Sequence, residues 1–272
     1  MRIAIVAPSG RFAPSTADQV TAIAAARYPQ AELVFHPQCF LSHGHFAGTD
    51  EQRLGAFVEM ANDPAFDAIW SARGGYGACR IAADAVAALG GAARDKMYLG
   101  YSDGGYLLAA LYRAGFPRLA HGPIPHDVVR EGGAAAVARS LDWMVTGAAD
   151  ALDPHLEAGT LHAAFNITVL GLLLGTDLEP DLTDHVLMLE DVAEQDYRTD
   201  RAMFHLTSQA AMRRLRGIRL GRVSAIPDND PDFGVTSEDI VRYWCDRSGI
   251  PFIGAADIGH DSANKVVPFG RF

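Results

Sequence analysis

A two-domain α/β fold that opens with a doubly wound parallel sheet is predicted by three features of the sequence. Short apolar runs at Arg2 to Ala7, Ala31 to Phe35, Asp67 to Ser71 and Met97 to Leu99 alternate with helix-like segments, the pattern of parallel strands joined by crossover helices. Three of these runs end in turns rich in small residues: Pro8-Ser9-Gly10, Arg73-Gly74-Gly75-Tyr76-Gly77 and Gly100-Tyr101-Ser102-Asp103-Gly104. After about Arg118 the alternation weakens, and a polar, Gly/Asp-rich stretch marks a boundary. The expected division is a first domain over residues 1–146, a linker over 147–159 and a second domain over 160–272.

Each element has a local reason. Arg2 to Ala7 is continuously apolar, as in a strand buried on both faces, and Ser15 or Thr16 is placed to cap the following helix. Thr49-Asp50-Glu51-Gln52 reads as a capping box, with Leu54, Phe57, Val58 and Ala61 as the apolar stripe behind it. His121-Gly122-Pro123 ends a fifth strand, and Gly132 to Val145 is an Ala-rich helix. The second half offers an apolar run at Ile167 to Leu174, a strand at His185 to Leu189 and a helix from about Arg198 to Leu215. A strand around Leu220 to Ile226, a helix at Glu238 to Ser248 and a strand at Pro251 to Ala255 follow. In doubly wound sheets ligands gather at the carboxyl ends of strands, so the three small-residue turns should face one crevice.

Composition narrows the partners. The net charge of −10 and the lack of a Lys/Arg cluster argue against nucleic acid, whose binding rests on phosphate contacts. Cys39, Cys79 and Cys245 have no CxxC spacing, which fits a reducing compartment and gives no metal signature. No apolar run reaches the roughly 18 residues of a membrane span, and the first one is too short for a signal peptide, so a soluble cytoplasmic protein is expected. No cofactor is expected either. His43-x-His45 and the His121/His126 pair supply at most two metal ligands each, with no Cys or acidic cluster beside them. His205 reads as a partly buried helix residue.

Gly-x-Ser-x-Gly between a strand and a helix lifts the Ser102 hydroxyl toward unpaired helix N-terminal amides. A serine becomes a nucleophile only beside a base whose tautomer is fixed by a third group. His260, in a loop after a strand and a glycine, is the best-placed base. Glu190, at the end of an apolar strand, is the candidate carboxylate, with Asp191 and Glu194 as rivals and a salt bridge to Arg198 or Arg201 as its structural alternative. The Arg73 to Gly77 loop and the Asp103 amide can supply oxyanion donors. A phosphate cradle is the competing reading of that loop, but neither the P-loop ending nor GxGxxG spacing is present. Arg73 could pair with a substrate carboxylate or brace the backbone.

With these residues in place, the chain resembles the LD-carboxypeptidases, a serine peptidase family that includes the microcin C immunity-type enzymes. The matching stretches are Ala7-Pro8-Ser9-Gly10, Phe46 to Asp50, Arg73 to Gly77, Gly100 to Asp103, Leu187 to Asp191 and Gly259-His260, continued by Asn264 and Pro268-Phe269-Gly270. The resemblance implies a triad of Ser102, Glu190 and His260, with the Gly75 and Asp103 amides as oxyanion hole and Asn166 as a further substrate contact. It also implies a Rossmann-like N-terminal domain joined to a smaller mixed β-rich C-terminal domain, often as homodimers and without a metal. The implied substrate is a murein tetrapeptide, cleaved to release a terminal D-amino acid during wall recycling. Three stretches depart from the family pattern: Gly104-Gly105 replace an aliphatic-Thr pair, Ala164-Phe165 replace two glycines before Asn166, and Asp196 replaces a proline. They bear on substrate choice. A peptidyl-nucleotide amidase, a non-catalytic small-molecule binder and an ordinary α/β-hydrolase esterase are the competing readings; the last would need more strands before the nucleophile turn.

Overall fold

The computed structural model describes residues 1–272 and places eleven strands in two sheets. Strands β1 (Arg2–Val6), β2 (Glu32–Phe35), β3 (Ala68–Ser71), β4 (Met97–Gly100) and β5 (Leu119–His121) run parallel in the order β5-β4-β3-β1-β2. Burial on both faces explains their unbroken apolar sequences; every residue of β3 is buried. Because β1, β3 and β4 are neighbours, the loops leaving their carboxyl ends lie side by side, and the Gly10 N–H donates to the Gly74 carbonyl at 3.1 Å.

Local signals decide where helices start. The capping box forms at Asp50–Asn62, with Thr49 Oγ1 accepting from the Gln52 amide and Gln52 Oε1 accepting from the Thr49 amide. The helix Pro14–Arg27 starts earlier than expected, so Ser15 and Thr16 lie inside its first turn instead of capping it. Proline at the first helical position needs no N–H partner and presets φ.

The second sheet contains β6 (Leu161–Asn166), β7 (His185–Val192), β8 (Gly217–Ser224) and β9 (Phe252–Ala255), all parallel. Helices Ile167–Leu173, Asp196–Ser208 and Ser237–Ser248 connect them. Two readings of the sequence change here. Strand β6 was not anticipated, because His162-Ala163-Ala164 has little β propensity. The apolar run that follows it is a helix, capped by Asn166, whose side-chain oxygen accepts from the Val169 amide at 3.1 Å.

The chain end joins the two sheets. Strand β10 (Val267–Pro268) pairs antiparallel with β5 in the first sheet, and β11 (Gly270–Arg271) pairs antiparallel with β6 in the second. Between the lobes, Leu107 and Leu108 of helix Gly105–Arg113 share one apolar core with Phe165 and Leu170. No helix is long and apolar enough to cross a membrane.

Candidate active site

The turn after β4 holds Ser102 at φ 56°, a left-handed conformation rare for a residue with a Cβ. Its neighbours hold it there. Tyr101 is buried and its hydroxyl donates to Asp127 Oδ1 at 2.7 Å. The Asp103 side chain accepts from the Ser9 hydroxyl and from the Ala78 amide at 2.8 Å, which ties the loops after β1, β3 and β4 together. Burial raises the pKa of Asp103, and the bonds from Ser9 and Ala78 oppose that rise.

Over this turn passes the Gly74-Gly75 backbone. A Cβ on Gly74 would lie 2.9 Å from Ser102 Oγ, 3.0 Å from its Cβ and 3.7 Å from the Asp103 amide nitrogen, so the loop reaches the serine only because it has no side chain there. Gly75 is exposed at φ 107°, and its N–H donates no hydrogen bond. An amide of the serine turn and the free amide next along this loop suit a developing oxyanion. Gly74→Ala is accordingly expected to lower kcat by about 10²- to 10³-fold, the effect of losing an oxyanion donor. Steady-state kinetics check it; a variant with unchanged kcat would show that the close approach is not needed.

From the second lobe come the carboxylate and the imidazole. Register between β7 and β8 slips between Leu189 and Asp191, an irregularity of the kind that re-aims a side chain. Glu190 is fully buried, and its Oε2 lies 2.5 Å from His260 Nδ1. Burial lowers the His260 pKa, but the charge and hydrogen bond of Glu190 outweigh it and the net shift is upward. The His260 ring packs on the Tyr101 ring at 4.8 Å between centroids. His260 Nε2 is buried and has no hydrogen-bond partner.

The structure therefore joins Glu190 to His260 and sets their pair against the residue before Ser102. It does not form a hydrogen bond from Ser102 Oγ to His260 Nε2. Such bonds commonly tighten only around a bound substrate.

The rivals of Glu190 have other partners. Asp191 accepts from Asn166 Nδ2 at 2.7 Å and from the amide and hydroxyl of Thr168, and its pKa is pushed up to about 6 by burial and then by the Glu190 charge. Glu194 contacts Arg198 at 3.5 Å, so neither Arg198 nor Arg201 pairs with Glu190. Asn166, expected to touch substrate, instead has both ends of its amide engaged, one in the helix cap and one on Asp191. Arg73 Nη1 donates to the Arg11 carbonyl at 2.9 Å, the bracing role, and the guanidinium makes no other hydrogen bond.

Sequence reasoning missed Asp127, Arg130 and the placement of His121. His121 is buried edge-on to Tyr101 at 5.4 Å, and burial pushes its pKa down to about 4. His43, His45 and His205 are exposed, the last against expectation. No group of three or more His, Cys, Asp or Glu side chains is arranged to hold a metal ion.

Two departures from the family pattern face each other. A Cβ on Gly105 would crowd Val169 Cγ1 at 3.2 Å and make an ordinary contact with Phe165 Cδ1 at 3.4 Å, so these two departures pack against one another in the core. Asp196, the third departure, accepts from Asn229 at 3.1 Å and from the Ser237 hydroxyl at 3.1 Å, tying its helix to the next one.

A serine on a left-handed turn in one α/β lobe, next to the tyrosine on which a buried carboxylate-imidazole pair from the other lobe packs, fits a two-lobed serine hydrolase of the peptidase kind. The chain belongs to the LD-carboxypeptidase family: models of its N-terminal and C-terminal domains match residues 3–122 and 159–272. It is 26% identical to the murein tetrapeptide carboxypeptidase of Pseudomonas aeruginosa, over 99% of this chain and 91% of that protein. Its fold matches the crystal structure of muramoyltetrapeptide carboxypeptidase from Oxalobacter formigenes, with a TM-score of 0.81, 23% identity and coverage of 99% and 93%. It also matches the microcin C7 self-immunity protein MccF in complex with aspartyl sulfamoyl adenosine, with a TM-score of 0.79, 16% identity and coverage of 99% and 91%.

Proposed function

We propose that the protein is a serine carboxypeptidase that cleaves the amide between an L-centre and a terminal D-amino acid, releasing D-alanine from murein tetrapeptides. The observation that carries this reading is the 2.5 Å contact of Glu190 with His260 Nδ1, which leaves Nε2 free beside the Ser102 turn. Ser102 Oγ attacks the scissile carbonyl while His260 Nε2 takes its proton. The Gly75 and Asp103 amides hold the oxyanion, and His260 then protonates the leaving amine. Water repeats the sequence on the acyl-enzyme. Glu190 keeps the Nδ1–H tautomer and stabilises the imidazolium. The free edge of Arg73 is the natural partner for the terminal carboxylate. Three unpaired cysteines fit the reducing cytoplasm, where wall peptides are recycled, and a homodimer is the expected form.

One observation favours a second reading, cleavage of aminoacyl-nucleotide amides. Tyr76, 49% exposed and next to Gly75, stands with His45 and Phe46 as an aromatic surface on which a base could stack. Trp244 offers no such surface, since its indole donates to Asp200 and packs on Phe204 and Tyr243. Incubation of the purified protein with a murein tetrapeptide and with an aminoacyl sulfamoyl nucleoside, read by mass spectrometry, separates the two. Release of D-alanine is expected. Cleavage of the nucleoside substrate alone would favour the second reading, and no turnover with no labelling by a serine-reactive phosphonate would leave a small-molecule binder.

A further inference from the structure

The geometry points to Asp127 and Arg130 as positioning residues that tie the nucleophile turn of the first lobe to the His260 loop of the second. The inference rests on His260 being the base. Asp127, in the turn Pro125–Val129 after β5, is 1% exposed. Its Oδ1 accepts from the Tyr101 hydroxyl at 2.7 Å and from Arg130 Nε at 2.9 Å, while Oδ2 accepts from the Ile124 amide at 2.9 Å. Arg130 Nη1 then donates to the backbone carbonyl of His260 at 2.7 Å. One carboxylate thus joins the residue before the serine to the main chain of the base.

The His260 loop needs such a hold. It lies after β9 and before β10, outside both sheets. From its own lobe, Arg222 grips Asp257 and Asp261. From the other lobe, Arg139 Nη1 donates to the carbonyls of Ser262 at 3.0 Å and Asn264 at 2.8 Å, beside the Arg130 bond to His260. Arg139 holds the far end of the loop, and of these three arginines Arg130 alone bonds to His260 itself. Charge-assisted bonds in a half-buried seam are stronger than neutral ones, and a base displaced by an ångström loses most of its rate advantage.

Arg130→Met distinguishes positioning from charge. The groups that face His260 are Glu190 from β7, Asp127 and Arg130 from the turn after β5, and His121 and Tyr101 from β5 and the end of β4. The Arg130 charge by itself disfavours the imidazolium, so removing charge alone raises the His260 titration midpoint. Releasing the loop loosens the Glu190 bond and lowers that midpoint.

The test is an NMR titration of the full chain carrying ¹³C-labelled histidine, with His260 assigned from the His260→Gln spectrum. A fall of about half a unit or more is expected for Arg130→Met, with kcat on the tetrapeptide reduced about 10- to 100-fold and KM within about twofold. Tyr101→Phe removes only the hydroxyl at the other end of the chain of bonds; it should shift the midpoint the same way and decides the matter if Arg130→Met does not fold. A rise or no change in the midpoint, in whichever of these variants folds, overturns the inference. Because the titration needs no turnover, it stands apart from whether a tetrapeptide is the substrate.

Discussion

Ser102→Ala is expected to reduce turnover on the order of 10⁶-fold without unfolding the protein, and Ser102→Gly to do the same in a more stable chain. The loss follows from removing the hydroxyl that the Gly74 backbone closely approaches, on the residue next to the Tyr101 ring against which His260 packs. Stability follows from the backbone. At φ 56° a Cβ costs about 1–2 kcal/mol, which alanine keeps and glycine relieves. The glycine variant should therefore melt about 2–4 °C above the alanine variant. Calorimetry and D-alanine release measure the two effects separately. Near-normal turnover by the alanine variant would end the serine mechanism, and a glycine variant that melts lower would show that the turn is not strained.

That strain is also why the first lobe was so legible. Burial on two faces forces unbroken apolar runs, and tight turns at their ends demand glycine, so β1, β3, β4 and the Ser102 turn all leave a local record. Strand β6 leaves none, because Ala163 and Ala164 fit a helix at least as well and only pairing with β7 makes them extended. Strands β10 and β11 are two residues long and take partners more than 100 residues away.

The site divides along the same line. Ser102, Glu190 and His260 sit in motifs, but the bonds from Tyr101 to Asp127 and from Arg130 to His260 span separations of 26 and 130 residues that no local pattern encodes. Asn166 is ambiguous for a related reason: an amide at a strand end serves equally as a ligand contact or a helix cap, and only the fold shows the cap and the bond to Asp191. The contact of Gly105 with Phe165 likewise joins residues 60 positions apart and is seen only in the fold.

Glu190→Gln keeps the shape of the buried acid and removes its charge, so it isolates what the charge does for His260. In the native protein burial favours neutral imidazole, yet the Glu190 charge and hydrogen bond raise its pKa above the ordinary 6.5. The acidic limb of kcat/KM, where the base becomes protonated and idle, should lie correspondingly above that value. Without the charge, burial dominates and the limb moves to lower pH. Turnover at its best pH falls about 10⁴-fold, because the tautomer and the imidazolium lose their partner.

Stability moves with its own sign. A folded-state pKa raised above the unfolded value contributes stability that is fully present below the unfolded pKa and is lost as pH rises through the folded one. The melting temperature of the native protein should therefore exceed that of Glu190→Gln most near pH 6, with the gap narrowing toward pH 9, where a buried carboxylate faces only a neutral ring. Melting curves across that range and pH-rate profiles of both proteins test the pair directly. A limb that moves upward, or a loss of less than tenfold in kcat, would mean that Glu190 is not the group that holds His260 in its working state.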